Sequence, residues 1–173
     1  LADFDQTRIE ALHHDHFYKY RTKKYGCYGC PIACSGVFTV PEGPYAAENA
    51  HQPEYETIAA FGSNCMNSSP ESIIKANDIC NQYGLDTIGT GSMVAFAMEA
   101  CEKGLISRDD ADGLDLSWGN PDAIVGLVEN MALGRGLGKT LAMGPEKAAA
   151  AIGGSAGDFA VHVRGESIAM HDP

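Results

Sequence analysis

Cys27, Cys30 and Cys34 fall within the stretch YGCYGCPIACSGVF, Tyr25 to Phe38, spaced C-x₂-C-x₃-C. Thiolates are soft ligands that suit zinc or an iron–sulfur cluster. Cysteines two and three residues apart in a loop can aim their sulfurs at one centre. Gly26, Gly29 and Gly36 flank them, and glycines let a backbone pass close to a cluster and point N–H groups at its sulfurs. A zinc ribbon would show a second C-x₂-C, and a bacterial ferredoxin would show three cysteines at two-residue spacings and then Cys-Pro. Neither pattern is present. Spacing alone therefore predicts a metal site, with iron–sulfur favoured over zinc, and leaves a fourth ligand to be found. Cys65, Cys80 and Cys101 are candidates by position, but their apolar, helix-like surroundings read as core packing.

Two further stretches carry groups that could do chemistry. In PEYETIAAFGSNC, Glu54 and Glu56 flank Tyr55 at the start of a short helix. A carboxylate there can serve general acid–base catalysis, and stabilisation by the helix dipole accounts for it equally. In NQYGLDTIGTG, Asn81 and Asp86 bracket a glycine turn between two helices. A carboxylate on such a turn can accept paired N–H donors from a flat heterocycle. A glycine C-cap followed by an aspartate N-cap explains the same residues. His13, His14 and His16 could reach a metal, although a solvated helix face bearing histidines is the preferred reading.

These groups need elements to position them. Residues 5–24 read as a helix ending in the basic run Arg21, Lys23 and Lys24, and residues 36–40 as a short strand. Residues 41–53, with three prolines and a glycine, read as a loop, and 54–61 as a short helix. Ser69-Pro70-Glu71 is a helix start, followed by an apolar stripe at helical period and a stop at Gly84. Residues 87–103 form an apolar helix closed by Gly104. Asn120-Pro121-Asp122 repeats the start signal for a helix running to Leu133. Gly134, Gly136 and Gly138 predict a loop, residues 145–152 a helix, and 159–163 a strand. The fold class expected is mainly α: a helical domain with a cysteine-rich cluster loop and a few short strands. A soft division puts the cluster-loop segment at 1–50 and the helical segment at 51–173.

The chain of 173 residues is 45% hydrophobic, enough to form a core, and carries a net charge of −11. That sign disfavours nucleic acid and anionic membrane surfaces as partners. No run of about 18 apolar residues exists to span a bilayer. The six cysteines, three of them at ligand spacing, fit a reducing compartment better than a disulfide framework, so a cytoplasmic location is expected. The chain starts at Leu1 and stops at Asp172-Pro173, which reads as a fragment.

Taken jointly, CYGCPIAC, GPYAAENAHQPEYETIAAFGSNC, KANDICNQYGLDTIGTGSMVAFAMEACEKG and the tail VRGESIAMHDP resemble the tungsten-containing aldehyde ferredoxin oxidoreductase family, in the part that follows its N-terminal pterin-binding domain. The resemblance covers most of residues 25–173. It implies that Cys27, Cys30 and Cys34 are three of four ligands to a [4Fe–4S] cluster, with the fourth cysteine much further on in a second motif. It implies that Asn81, Gly84, Leu85 and Asp86 match the first D-x-x-G-L-D motif, which binds a tungsten bis-pterin (molybdenum in some members). Asn81 stands where the family usually has aspartate. Glu56 matches the glutamate proposed to assist proton transfer near the metal, with Glu54 the lesser candidate. The implied activity is oxidation of a small aldehyde to a carboxylic acid, with electrons leaving through the cluster to ferredoxin. A homodimer is common in the family. A fragment lacking the other pieces is expected to be inactive alone. The competing expectation is a non-enzymatic zinc-binding helical module, using the three cysteines and a ligand such as His13 or His16.

Overall fold

A computed structural model describes residues 5–170. His171, Asp172 and Pro173, which end the resembling tail, lie outside the described residues. Helices dominate, and they pack beside a small antiparallel sheet, as the sequence predicts.

The N-terminal region departs from expectation. Instead of one helix it forms α1 (Gln6–Ala11), α2 (His14–Tyr18) and strand β1 (Arg21–Tyr25). His13 breaks the helical run with extended backbone, φ −61 and ψ 144. The basic run joins the sheet because β2 (Ser35–Val40), whose alternate residues are buried, needs a partner on that side. Lys23 and Lys24 are exposed along this outer strand, and lysine suits a sheet edge because it discourages further pairing. Tertiary pairing has overridden a weak helical signal.

The predicted loop at 41–53 also contains a strand, β3 (Ala47–His51). Ala-Glu-Asn-Ala-His has little intrinsic strand preference. It pairs because Ala47 and Ala50 are small enough to be buried where the sheet meets α4 (Pro70–Tyr83). Asn49 at φ 55 and a register shift between Phe38 and Val40 mark the irregularity this requires. Sheet order is β1-β2-β3.

The helices after residue 54 follow their start and stop signals. Helix α3 spans Tyr55–Phe61. In α4 the Ser69 hydroxyl accepts from the Ser72 N–H, Pro70 takes the first position, and Gly84 at φ 72 closes the last turn. Asp86 caps α5 (Thr87–Glu102) by accepting from the Gly89 N–H at 2.5 Å. Asn120 caps α6 (Pro121–Leu133) in the same way, and Gly134 ends it at φ 61. Helix α8 covers Pro145–Ile152.

Two predictions on the C-terminal side fail. The glycine-rich stretch after α6 is a helix, α7 (Gly136–Leu141), rather than a loop. A side chain at Gly138 would stand 2.3 Å from the Asn130 carbonyl carbon, so glycine there permits close packing on the end of α6. The Asp112 carboxylate accepts from the Leu137 N–H at 3.0 Å and holds the start of α7. Residues 159–163 form no strand. A 3-10 turn at Ala156–Asp158 precedes a single bridge between Val163 and Glu166, because alternation without a neighbouring edge has nothing to pair with.

Phe38, Phe61, Ile73, Ile74, Met98, Ile124 and Leu127 are fully buried where sheet and helices meet. Helices α3 and α5 also approach closely. A Cβ on Gly91 would lie 2.7 Å from the Ala60 Cβ and 2.9 Å from the Ala60 carbonyl carbon. Glycine at 91 thus sets the spacing between the helices that carry Glu56 and Asp86.

Candidate functional site

The three clustered cysteines lie on the connection between β1 and β2, and all three are exposed. The Cys30 N–H donates to the Cys27 carbonyl at 3.0 Å, which folds the first two ligands into one turn. Gly29 at φ 73 and Ala33 at φ 50 reverse the chain on either side of Cys30. A Cβ on Gly26 would lie 2.9 Å from the Ala33 Cα, so the two arms of the loop nearly touch. Tyr28 and Ile32 stand out from this loop at 107% and 72% relative exposure.

The sulfurs are not drawn together as a lone zinc ion would require. Zinc–sulfur bonds of 2.3 Å at tetrahedral angles put the sulfurs about 3.8 Å apart. Among the described residues, the trio of His, Cys, Asp or Glu side chains whose ligand atoms all lie within 4.8 Å is His13, His14 and Asp15, and no cysteine joins it. A cubane cluster spreads its thiolates more widely, one per iron. Three exposed soft donors, with no disulfide among them, fit that larger group.

The remaining cysteines behave as packing. Cys65 is fully buried, and its thiol donates to the Ala60 carbonyl at 3.3 Å and the Gly91 carbonyl at 3.7 Å. Burial pushes the Cys65 thiol up to about 12. Burial does the same for Cys80, also to about 12, with the Asp86 charge adding to it against a hydrogen bond from Thr90 that lowers it. Cys101 is half-buried beside the core. Since the thiolate is the reactive form, a brief pulse of iodoacetamide near pH 8 should modify Cys27, Cys30 and Cys34 in the folded chain. Cys65 and Cys80 should react only after unfolding. Mass mapping of the labelled peptides reads this, and early labelling of Cys65 would contradict its buried position.

Glu56 occupies the first turn of α3 and accepts from the Tyr55 hydroxyl at 3.0 Å. Thr57, next to it, is bonded to Thr87 through their hydroxyl oxygens at 2.7 Å. Thr87 follows Asp86. This hydroxyl pair and the Gly91 contact bring the start of α3 beside the start of α5, so Glu56 and Asp86 sit on adjoining helix ends. The threonines escaped notice in the sequence, although the repeated acid-Thr step, Glu56-Thr57 and Asp86-Thr87, was the available signal.

The Asn81–Asp86 turn combines the two roles weighed for it. Gly84 ends α4 and Asp86 starts α5, while Leu85 is half-buried against the core with its N–H bonded to the Cys80 carbonyl at 2.8 Å. Asn81 Nδ2 donates to the Asn77 carbonyl at 2.8 Å and to Asn77 Oδ1 at 3.2 Å. Aspartate at 81 could donate neither bond and would face both oxygens, which is the local reason for an amide here. Both amide donors are engaged, which leaves Asn81 Oδ1 to take a bond from an outside donor.

A hydrogen-bonded chain links the cysteine loop to this turn. Tyr25, two residues before Cys27, contacts His51 Nδ1 through its hydroxyl at 2.6 Å. The His51 carbonyl accepts from Asn77 Nδ2 at 2.9 Å, and Asn77 in turn receives Asn81. Tyr25 and His51 come from the two outer strands, and their pairing had no sequence signal. An open groove of about 1210 Å³ lies elsewhere, along α5 and the C-terminal segment, lined by Met66, Phe96, Trp118 and Phe159 among others. None of Glu56, Asp86 or the clustered cysteines lines it.

A family model described as "Aldehyde ferredoxin oxidoreductase, domains 2 & 3" matches residues 2–173. The chain belongs to the aldehyde ferredoxin oxidoreductase family. Within it, the chain is 36% identical over 156 residues to a tungsten-containing aldehyde ferredoxin oxidoreductase of Thermococcus kodakarensis, covering 90% of this chain and 25% of the relative. It is 38% identical over 136 residues to the Pyrococcus furiosus protein of the same name, covering 78% and 22%. The WOR-like subunit of an aliphatic sulfonate oxidoreductase from Pyrococcus furiosus is 34% identical over 154 residues, covering 86% and 24%. The chain thus spans about a quarter of the length of these curated relatives. Its fold matches that of a chain in the active site complex BamBC of benzoyl coenzyme A reductase, with a TM-score of 0.78 and 24% identity over 96% of this chain and 24% of that one. Among the described residues, no helix is long and apolar enough to cross a membrane.

Proposed function

We propose that this segment forms part of a tungsten bis-pterin and iron–sulfur oxidoreductase that converts aldehydes to carboxylic acids. The carrying observation is the connection between β1 and β2, which presents three exposed thiols in a close-folded turn of an oxidoreductase family. Cys27, Cys30 and Cys34 would hold three irons of a [4Fe–4S] cluster, with a fourth thiolate from outside residues 1–173. Asn81 Oδ1, the Gly84–Leu85 backbone and Asp86 would bind the pterin edge. The bound groups supply the two-electron oxidation and the one-electron exit toward ferredoxin. The protein supplies placement and proton handling. Glu56, half-buried at the start of a helix next to the Asp86 turn, is the base within this segment. Six unpaired cysteines, three of them exposed, suit a reducing cytoplasm.

Iron and acid-labile sulfide measured on the chain prepared without oxygen test this reading. Iron with matching sulfide is expected, while zinc held by Cys27, Cys30 and Cys34 without sulfide would overturn it. In a holoenzyme carrying this segment, Glu56→Gln should lower kcat by about 10²–10⁴ with cofactor content unchanged. A mutant with parental kcat would remove Glu56 from the proton path. The segment alone is expected to show no aldehyde oxidation, and detectable turnover by it would refute the need for further domains.

A further inference from the structure

We propose that His13, His14 and Asp15 form a surface binding site for a zinc-class divalent cation, separate from the cysteine loop. The Asp15 carboxylate lies between two imidazoles. Its Oδ2 is 3.4 Å from His13 Nδ1 and its Oδ1 is 3.1 Å from His14 Nε2. All three ligand atoms fall within 4.8 Å of one another. Zinc binds nitrogen at 2.0–2.1 Å and carboxylate oxygen at 2.0–2.2 Å, and two such bonds at a tetrahedral angle put their ligand atoms about 3.4 Å apart. Each imidazole nitrogen lies near that distance from one of the two carboxylate oxygens, so a cation that takes one oxygen would draw the other nitrogen toward it. The two imidazoles, with ring centroids 4.1 Å apart and planes tilted by 46°, need the larger approach.

The backbone holds this set in place. His13 is the extended residue before α2, and His14 and Asp15 form its first turn. The His16 N–H donates to the His13 carbonyl at 3.0 Å and closes that turn. The His14 ring meets the Tyr18 ring edge-on at 5.3 Å. Phe17, in the same short helix, is buried and ties it to the core. Two imidazoles and one carboxylate form a borderline donor set that suits zinc and its neighbours better than magnesium or calcium. Side-chain exposures of 52%, 59% and 75% leave the outward coordination positions to water. An ion here would tie the extended residue His13 to the first turn of α2.

The test is isothermal titration with Zn²⁺ of the chain carrying Cys27→Ser, Cys30→Ser and Cys34→Ser, so that thiolates do not take the metal. One equivalent should bind, and the ring resonances of His13 and His14 should shift while those of His51 and His162 stay. Loss of an outer-sphere partner alone weakens metal sites by about 10–100-fold, so His14→Ala or Asp15→Asn should cost at least about tenfold in affinity. These side chains are exposed, and the fold should survive each change. His16→Ala should leave the affinity within about twofold. The proposal is overturned if no Zn²⁺ binds, if His14→Ala leaves the affinity unmoved, or if His16→Ala is as damaging as His14→Ala.

Discussion

Serine in place of Cys30 is expected to strip the chain of most of its iron and sulfide while leaving its melting temperature unchanged. Cys30 is the middle ligand of the triplet and is exposed, with its backbone N–H closing the turn on Cys27. Serine preserves that turn and the side-chain size. It replaces a soft thiolate by a hydroxyl that stays protonated and is too hard for the cluster. Exposed substitutions away from caps and strain usually change stability by less than about 0.5 kcal/mol. Metal and sulfide analysis of parent and variant, prepared side by side without oxygen, reads the first effect, and thermal melts read the second. Cys101→Ser is the control, and its iron content should equal the parent's. Iron retained in full by Cys30→Ser would sink the assignment of the triplet.

The largest loss of stability is expected from Phe61→Ala. Phe61 ends α3 and is fully buried among the core side chains, and its carbonyl accepts from Asn67 Nδ2 at 3.1 Å. Removing a buried phenyl ring costs about 3–5 kcal/mol, from lost transfer energy plus the cavity it leaves. For a chain of this size that lowers Tm by roughly 10 °C. The damage should also reach the site, because α3 carries Glu56 and seats it beside α5. Phe61→Leu should recover more than half of the loss, since much of the volume is restored. Equal melting temperatures for Phe61→Ala and the parent would mean that α3 is not anchored as described.

Much of this architecture was legible in the residues because capping is local chemistry. Ser69-Pro70, Gly84, Asp86, Asn120-Pro121 and Gly134 each act on the backbone within a few positions, and each stands where its helix starts or stops. The errors lie where distant segments decide the outcome. Residues 21–25 and 47–51 are strands because β2 pairs with both, which no pattern inside either stretch reveals. Gly136 and Gly138 read as loop formers, yet the close approach of Asn130 makes small residues a packing requirement inside a helix. The same division holds for the site. Cys27, Cys30 and Cys34 share one loop and could be read together. The neighbourhood of Glu56 and Asp86 depends on Gly91 and a Thr57–Thr87 bond, both products of tertiary packing.

Under the proposed function, the run of contacts from Tyr25 through His51 and Asn77 to Asn81 bears on electron flow. Tunnelling between two redox centres falls off exponentially with the gap between them, so thermal wandering of either centre degrades the rate. Here the cysteine loop leaves the sheet after Tyr25, and Asn81 lies in the last turn of α4 before the turn into α5. Short polar contacts between β1, β3 and α4 bridge these places. A solvent-exposed loop is thereby tied through the sheet to the end of α4.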